Sequence, residues 1–112
     1  MARVEITFCR STATGQSGGV IPVSNLTSAV TEVVTSSGTS AVTTTVSPFG
    51  GNAGLVTVYS SGEVWVVSGP PSGLTAVVPA SGATAPGQRV EATTSTSFSV
   101  NQGDAVAVID IV

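Results

Sequence analysis

Val4, Ile6 and Phe8 alternate with Glu5, Thr7 and Cys9, the two-residue period of a strand with one apolar face and one wetter face. Strand-like stretches recur at 20–23, 27–31, 39–43, 55–59, 63–67, 74–78, 89–92, 96–100 and 105–112. Turn chemistry separates many of them: Ser36-Ser37-Gly38, Pro48-Phe49-Gly50-Gly51, Ser60-Ser61-Gly62, Gly69-Pro70-Pro71, and Asn101-Gln102-Gly103-Asp104. Roughly eight strands with no strand-helix-strand spacing predict an all-β chain, an antiparallel two-sheet β-sandwich of jelly-roll-like form, as a single domain over residues 1–112.

Two hairpins are expected. Thr-Ser-Ala-Val-Thr at 27–31 recurs at 39–43, joined through Ser36-Ser37-Gly38. Residues 55–59 and 63–67 flank Ser60-Ser61-Gly62, and the register of that pair bears on function. A loop of Ser60, Ser61 and Gly62 sets Tyr59 against Glu63 and Thr57 against Trp65, which brings both large amphipathic aromatics to one face, whereas the alternative register sets Tyr59 against Val64. Residues 11–19 contain glycines and little to bury, so a flexible loop or arm is expected there. Residues 105–112 are apolar on both faces, which calls for cover on both sides and hence for self-association as a homodimer or homotrimer.

Composition sharpens this picture. Serine and threonine contribute 16 residues each, valine dominates the apolar set, and leucine occurs only at Leu26, Leu55 and Leu74, a mixture that favours pleated strands and cannot sustain a helix of ordinary length. Charge is sparse: Arg3, Arg10 and Arg89 stand against six acidic residues, with no lysine and no histidine. Phosphate neutralisation needs clustered basic side chains, so no nucleic-acid partner is expected. A surface this poor in charge suits a chain largely covered by partners. Glu5 interrupts the apolar run that a signal peptide needs, and no apolar stretch is long enough to span a bilayer, so synthesis in a host cytoplasm and no membrane partner are expected.

The chemistry available is narrow. Without histidine or lysine there is no Ser-His-Asp or Cys-His arrangement, no imidazole zinc site, no Schiff base and no phosphate-loop lysine. The expectation is therefore no catalytic residues, no metal site, no cofactor and no enzymatic activity. Cys9 reads as a small packing residue, and the glycine runs at 15–19 and 50–54 read as turns because neither joins a strand to a helix. The candidate interface residues are Val4, Ile6 and Phe8, a strand able to pair with a neighbour; Tyr59 and Trp65; and Arg89 and Asp110. Trp65 has an alternative place in the core beside Phe8 and Phe98. Asp110 reads as a charge guarding a sheet edge, or as a partner for an arginine across an interface.

The second half carries a longer pattern: Val64-Trp65-Val66-Val67-Ser68-Gly69-Pro70-Pro71, then Arg89-Val90-Glu91-Ala92, then Phe98-Ser99-Val100-Asn101-Gln102-Gly103-Asp104-Ala105-Val106-Ala107-Val108-Ile109. Over about residues 56–112 it resembles the small β-proteins encoded among the structural genes of tailed bacteriophages, some of which are cement, or decoration, proteins of the capsid. The resemblance implies a jelly-roll-like fold, oligomers that bridge neighbouring capsid subunits, the major capsid protein as partner, and a place on the capsid surface of the virion. The alternative function is a carbohydrate- or receptor-binding module using Tyr59 and Trp65 as a stacking platform.

Overall fold

The computed structural model describes the backbone of residues 1–14, 20–49 and 54–111, and the side chains of these apart from 11–14 and 20–28. Eight strands run in chain order: β1 (Arg3–Thr14), β2 (Val20–Thr35), β3 (Ala41–Val42), β4 (Gly54–Ser60), β5 (Val64–Gly69), β6 (Gln88–Val90), β7 (Thr94–Ser99) and β8 (Ala105–Asp110). They form two four-stranded sheets, ordered β2-β1-β4-β7 and β3-β8-β5-β6, with every pairing antiparallel. Lettering β2 to β8 as B to H and β1 as I gives B-I-D-G facing C-H-E-F. That is jelly-roll order, with the last strand supplied by β1.

Alternation builds the core. Val4, Ile6 and Phe8 of β1 and Val56 and Val58 of β4 point inward from the first sheet, and Val64 and Val66 of β5, Val90 of β6 and Val106 and Val108 of β8 answer from the second. All are buried. Val4, Ile6 and Phe8 have no exposed surface, so the face proposed for a neighbour is filled by the chain's own second sheet.

Neither expected hairpin forms. β4 pairs with β1 and β7, whereas β5 pairs with β8 and β6, so Ser60-Ser61-Gly62 carries the chain from one sheet to the other. The crossing is held by Ser61 N–H to the Arg3 carbonyl at 3.0 Å and Thr93 N–H to the Ser60 carbonyl at 2.8 Å. The 27–31 and 39–43 stretches likewise fall on β2 and β3, in different sheets. The physical reason is common to both. Two strands with matching inward residues satisfy alternation equally well as neighbours in one sheet or as facing strands in two, and a short Ser-Gly turn serves either. The stretches at 89–92 and 96–100, open in sequence to being one bent strand or two short ones, are two, β6 in one sheet and β7 in the other.

β8 lies inside its sheet, between β3 and β5, and its outward Ala105 and Ala107 are as buried as its inward valines. The connection between β5 and β6, in which the strand expected at 74–78 does not form, accounts for this cover. It leaves Gly69, places buried Ala76 where its N–H donates to Ser40 Oγ (2.8 Å) beside β3, and returns past Trp65, whose Nε1 donates to the Pro86 carbonyl at 2.9 Å. The strap thus spans the outer face from β3 to β6. Small side chains at Ala105 and Ala107 leave room beneath it. The cover expected from a second subunit is therefore supplied within the chain.

Within the arm expected at 11–19, residues 11–14 are strand: Ser11 pairs with Ser24, Ala13 with Ile21 and Thr14 with Val20. Residues 15–19 lie outside the described residues.

Candidate functional site

The surface, rather than a cleft with convergent polar groups, is where the candidates fall. On the outer face of the first sheet Tyr59 stands between Glu5 of β1 and Ser95 of β7 and is half-buried. The next row across the same face is made of hydroxyls, Thr31, Thr7, Thr57 and Ser97, one from each strand. Thr7 and Thr31 hydroxyls lie 2.7 Å apart, and those of Thr57 and Ser97 lie 3.0 Å apart. Trp65 is on the outer face of the second sheet, opposite Arg89 and Ile109, so neither the shared platform with Tyr59 nor the core position beside Phe8 and Phe98 is realised. Its ring and its Nε1 hold the strap. Gly87 sits against that ring with φ of 115°, where a methyl group would fall on the Val66 carbonyl oxygen and 2.5 Å from Trp65 Nε1.

Asp110 is at the end of an interior strand, not at an edge. It accepts a hydrogen bond from the Ser36 hydroxyl, and its Oδ2 lies 3.3 Å from the Met1 amino nitrogen. Ser36 Oγ also accepts from Ala2 N–H (2.9 Å), so Asp110 ties the starts of β1 and the β2–β3 connection to β8. Arg89 is occupied as well, 3.5 Å from Glu63, while Arg3 lies 3.1 Å from Glu5 and the Arg10 guanidinium stacks 4.7 Å from the Phe49 ring centre. All three arginines are thus engaged within the chain. Cys9 is a free, buried thiol, as its packing reading requires.

Glu32 is the residue sequence reasoning overlooked. It shares the inward side of β2 with Val30 and Val34, and its carboxylate accepts from Thr44 N–H (3.1 Å), Thr44 hydroxyl (3.2 Å) and Thr45 N–H (2.7 Å). Partial burial alone would raise its pKa, but the hydrogen bonds from Thr45 and Thr44 outweigh burial and hold the carboxyl below its ordinary value. The signal was available. An acidic residue in step with Val30 and Val34 is a charge on the core-facing side of an edge strand, a device that discourages further strand pairing.

A groove opens between the sheets, on the side where β7 and β6 face each other. It holds about 410 Å³, with a floor of Val56, Val58, Val66 and Val106, a wall of Phe98, and Ser68, Gln88 and Ser99 at its rim. Its origin is the shortness of β6. Pro86 and Gly87 delay that strand to Gln88, and it pairs only with 64–66 of β5, leaving 67–69 without a neighbour on that side. No charged side chain lines the groove. Among the described residues no cluster of His, Cys, Asp or Glu could hold a metal ion, and no helix is long and apolar enough to cross a membrane.

These features define an all-β sandwich whose prominent surface elements are strand edges and hydroxyl rows. No known family model, curated protein sequence or solved structure matches the chain.

Proposed function

We propose that this chain is a virion structural protein that binds the outside of a phage capsid and cements neighbouring capsid subunits. The observation that carries the reading is the extension of β1 and β2 past the sandwich. Among the described residues β4 begins at Gly54 opposite Arg10, whereas β1 continues to Thr14 paired with β2 from Val20 onward. A two-stranded ribbon beyond its sheet is marginal in water and gains stability from a surface to lie on. Adjacent capsid subunits offer such a surface. The internally engaged arginines support the same reading, because they leave apolar contact, backbone pairing and hydroxyl hydrogen bonds as the means of attachment. A stacking module built on Tyr59 and Trp65 lacks this support, since the two rings lie on opposite outer faces.

Proline scanning of the ribbon tests the proposal. Successive residues of a strand direct N–H groups to opposite sides, so either Ala13→Pro or Thr14→Pro removes a β1–β2 hydrogen bond outside the sandwich. The expected result is weaker retention on purified particles by at least one of the two variants, with an unchanged melting temperature. Retention equal to wild type for both would exclude the ribbon as the attachment element.

A further inference from the structure

The four sheet edges are not alike. β3 has two residues and β6 three, with Arg89 among them; β2 turns Glu32 inward, and its pairing with β1 is interrupted by two register shifts. Each carries a feature known to discourage strand addition. β7 carries none. Its six residues, Thr94–Ser99, include no charge and no proline, and its register with β4 is unbroken. Alongside it lies the apolar groove, whose wall is the half-buried Phe98 of β7 itself.

We infer that β7 is a dimerisation edge, pairing antiparallel with β7 of a second copy across a two-fold axis that passes beside Ser97. Charge selects the occupant. A charged side chain brought to this neutral groove would be desolvated without a counter-charge, whereas a second β7 brings only hydroxyls and one phenyl ring and meets no like charge. The register follows from the pleat, because only pairings that set odd residues against odd keep core-facing side chains on the core face. With Ser97 opposite Ser97 of the second copy, each Phe98 lies opposite the other copy's Thr96 at the groove mouth, an aromatic against a β-branched residue. The hydroxyl row Thr31-Thr7-Thr57-Ser97 then continues across the axis as one row over an eight-stranded sheet. This gives residues to the self-association expected from sequence, though from β7 rather than β8. It stands or falls separately from attachment to a capsid.

Cysteine crosslinking of the full chain decides the matter. Directly opposed residues of an antiparallel pair fall within disulfide reach, whereas Ser95 and its symmetry mate would be displaced by four residues, about 13 Å along the strand. Under oxidised glutathione, Ser97→Cys is expected to give a disulfide dimer and Ser95→Cys none, with wild type, whose only thiol is the buried Cys9, as background. Adding Thr96→Lys, which copies on β7 the inward charge of β2, is expected to abolish the crosslink while circular dichroism and melting temperature report a folded chain. Should that variant unfold, the comparison of Ser97→Cys with Ser95→Cys decides the matter by itself. Equal crosslinking of Ser95→Cys and Ser97→Cys, or none by either, would overturn the inference. Saturable binding of 1-octanol in the groove without crosslinking would assign the groove to a small apolar molecule and overturn it equally.

Discussion

Two residues whose roles are invisible in composition carry much of the local order. Gly87 occupies a backbone conformation that side chains rarely adopt, and it lies against the Val66 carbonyl and the indole of Trp65. Gly87→Ala therefore combines backbone strain with a steric clash, and a loss of about 1–3 kcal/mol is expected in urea denaturation. Gly38→Ala, where an added methyl meets nothing within 4 Å, should leave the midpoint within experimental error. Glu32 makes the chain acid-sensitive. Its carboxyl titrates below the ordinary value of 4.5 when folded, so the stabilisation it gives is full above that value and is lost as pH falls through the lower folded-state value. Melting temperatures measured down into this acidic window should fall for wild type and fall less steeply for Glu32→Gln. Identical pH profiles would show that the Thr44–Thr45 connection does not depend on this carboxylate. In the sequence Glu32 was legible as a polar residue on an apolar stripe, whereas Gly87 was not, because its constraint comes from a strap and a strand that meet only in three dimensions.

At the level of elements, alternation located the strands well and their partners poorly. Val4, Ile6 and Phe8, and Val56, Val58, Val64 and Val66, were all readable as one-sided strands. Which sheet each joined was not, since a Ser-Gly turn of the kind at Ser60-Ser61-Gly62 serves a hairpin and a crossing between sheets alike. The same ambiguity lies behind the hairpin register in which Tyr59 and Trp65 would share a face. The strap between β5 and β6 was the largest surprise. Its 74–78 segment reads as a strand between proline- and glycine-rich breaks, yet it forms no strand and instead gives β8 its second cover, which answers the argument that β8 required a partner subunit. Its anchor is testable. Trp65→Phe keeps an aromatic ring but removes the nitrogen-bearing half of the indole with its Nε1 hydrogen bond to Pro86, for an expected loss of at least about 1 kcal/mol with faster amide exchange confined to the strap. Unchanged exchange at 70–87 would mean that the ring alone, or other contacts, hold it.

As a whole the molecule is a jelly-roll sandwich with two unlike outer faces: one crossed by a strap, the other carrying a row of hydroxyls next to the buried pair Cys9 and Leu55. The fold class was legible from strand count and composition. A functional site was not, because the features this surface offers, strand edges and small hydroxyl side chains, leave no motif of reactive residues. The central claim is that the chain coats a capsid through uncharged contacts, and its physical signature is indifference to ionic strength. With only three arginines, each already beside an acidic or aromatic neighbour of its own chain, there is little charge for screening to act on. The most direct measurement is sedimentation of purified phage particles through gradients of low and molar salt, followed by quantification of this chain against the major capsid protein. The account predicts a fixed ratio of the two proteins that is the same in both gradients. Absence of the chain from the particles, or its release by salt alone, would contradict it.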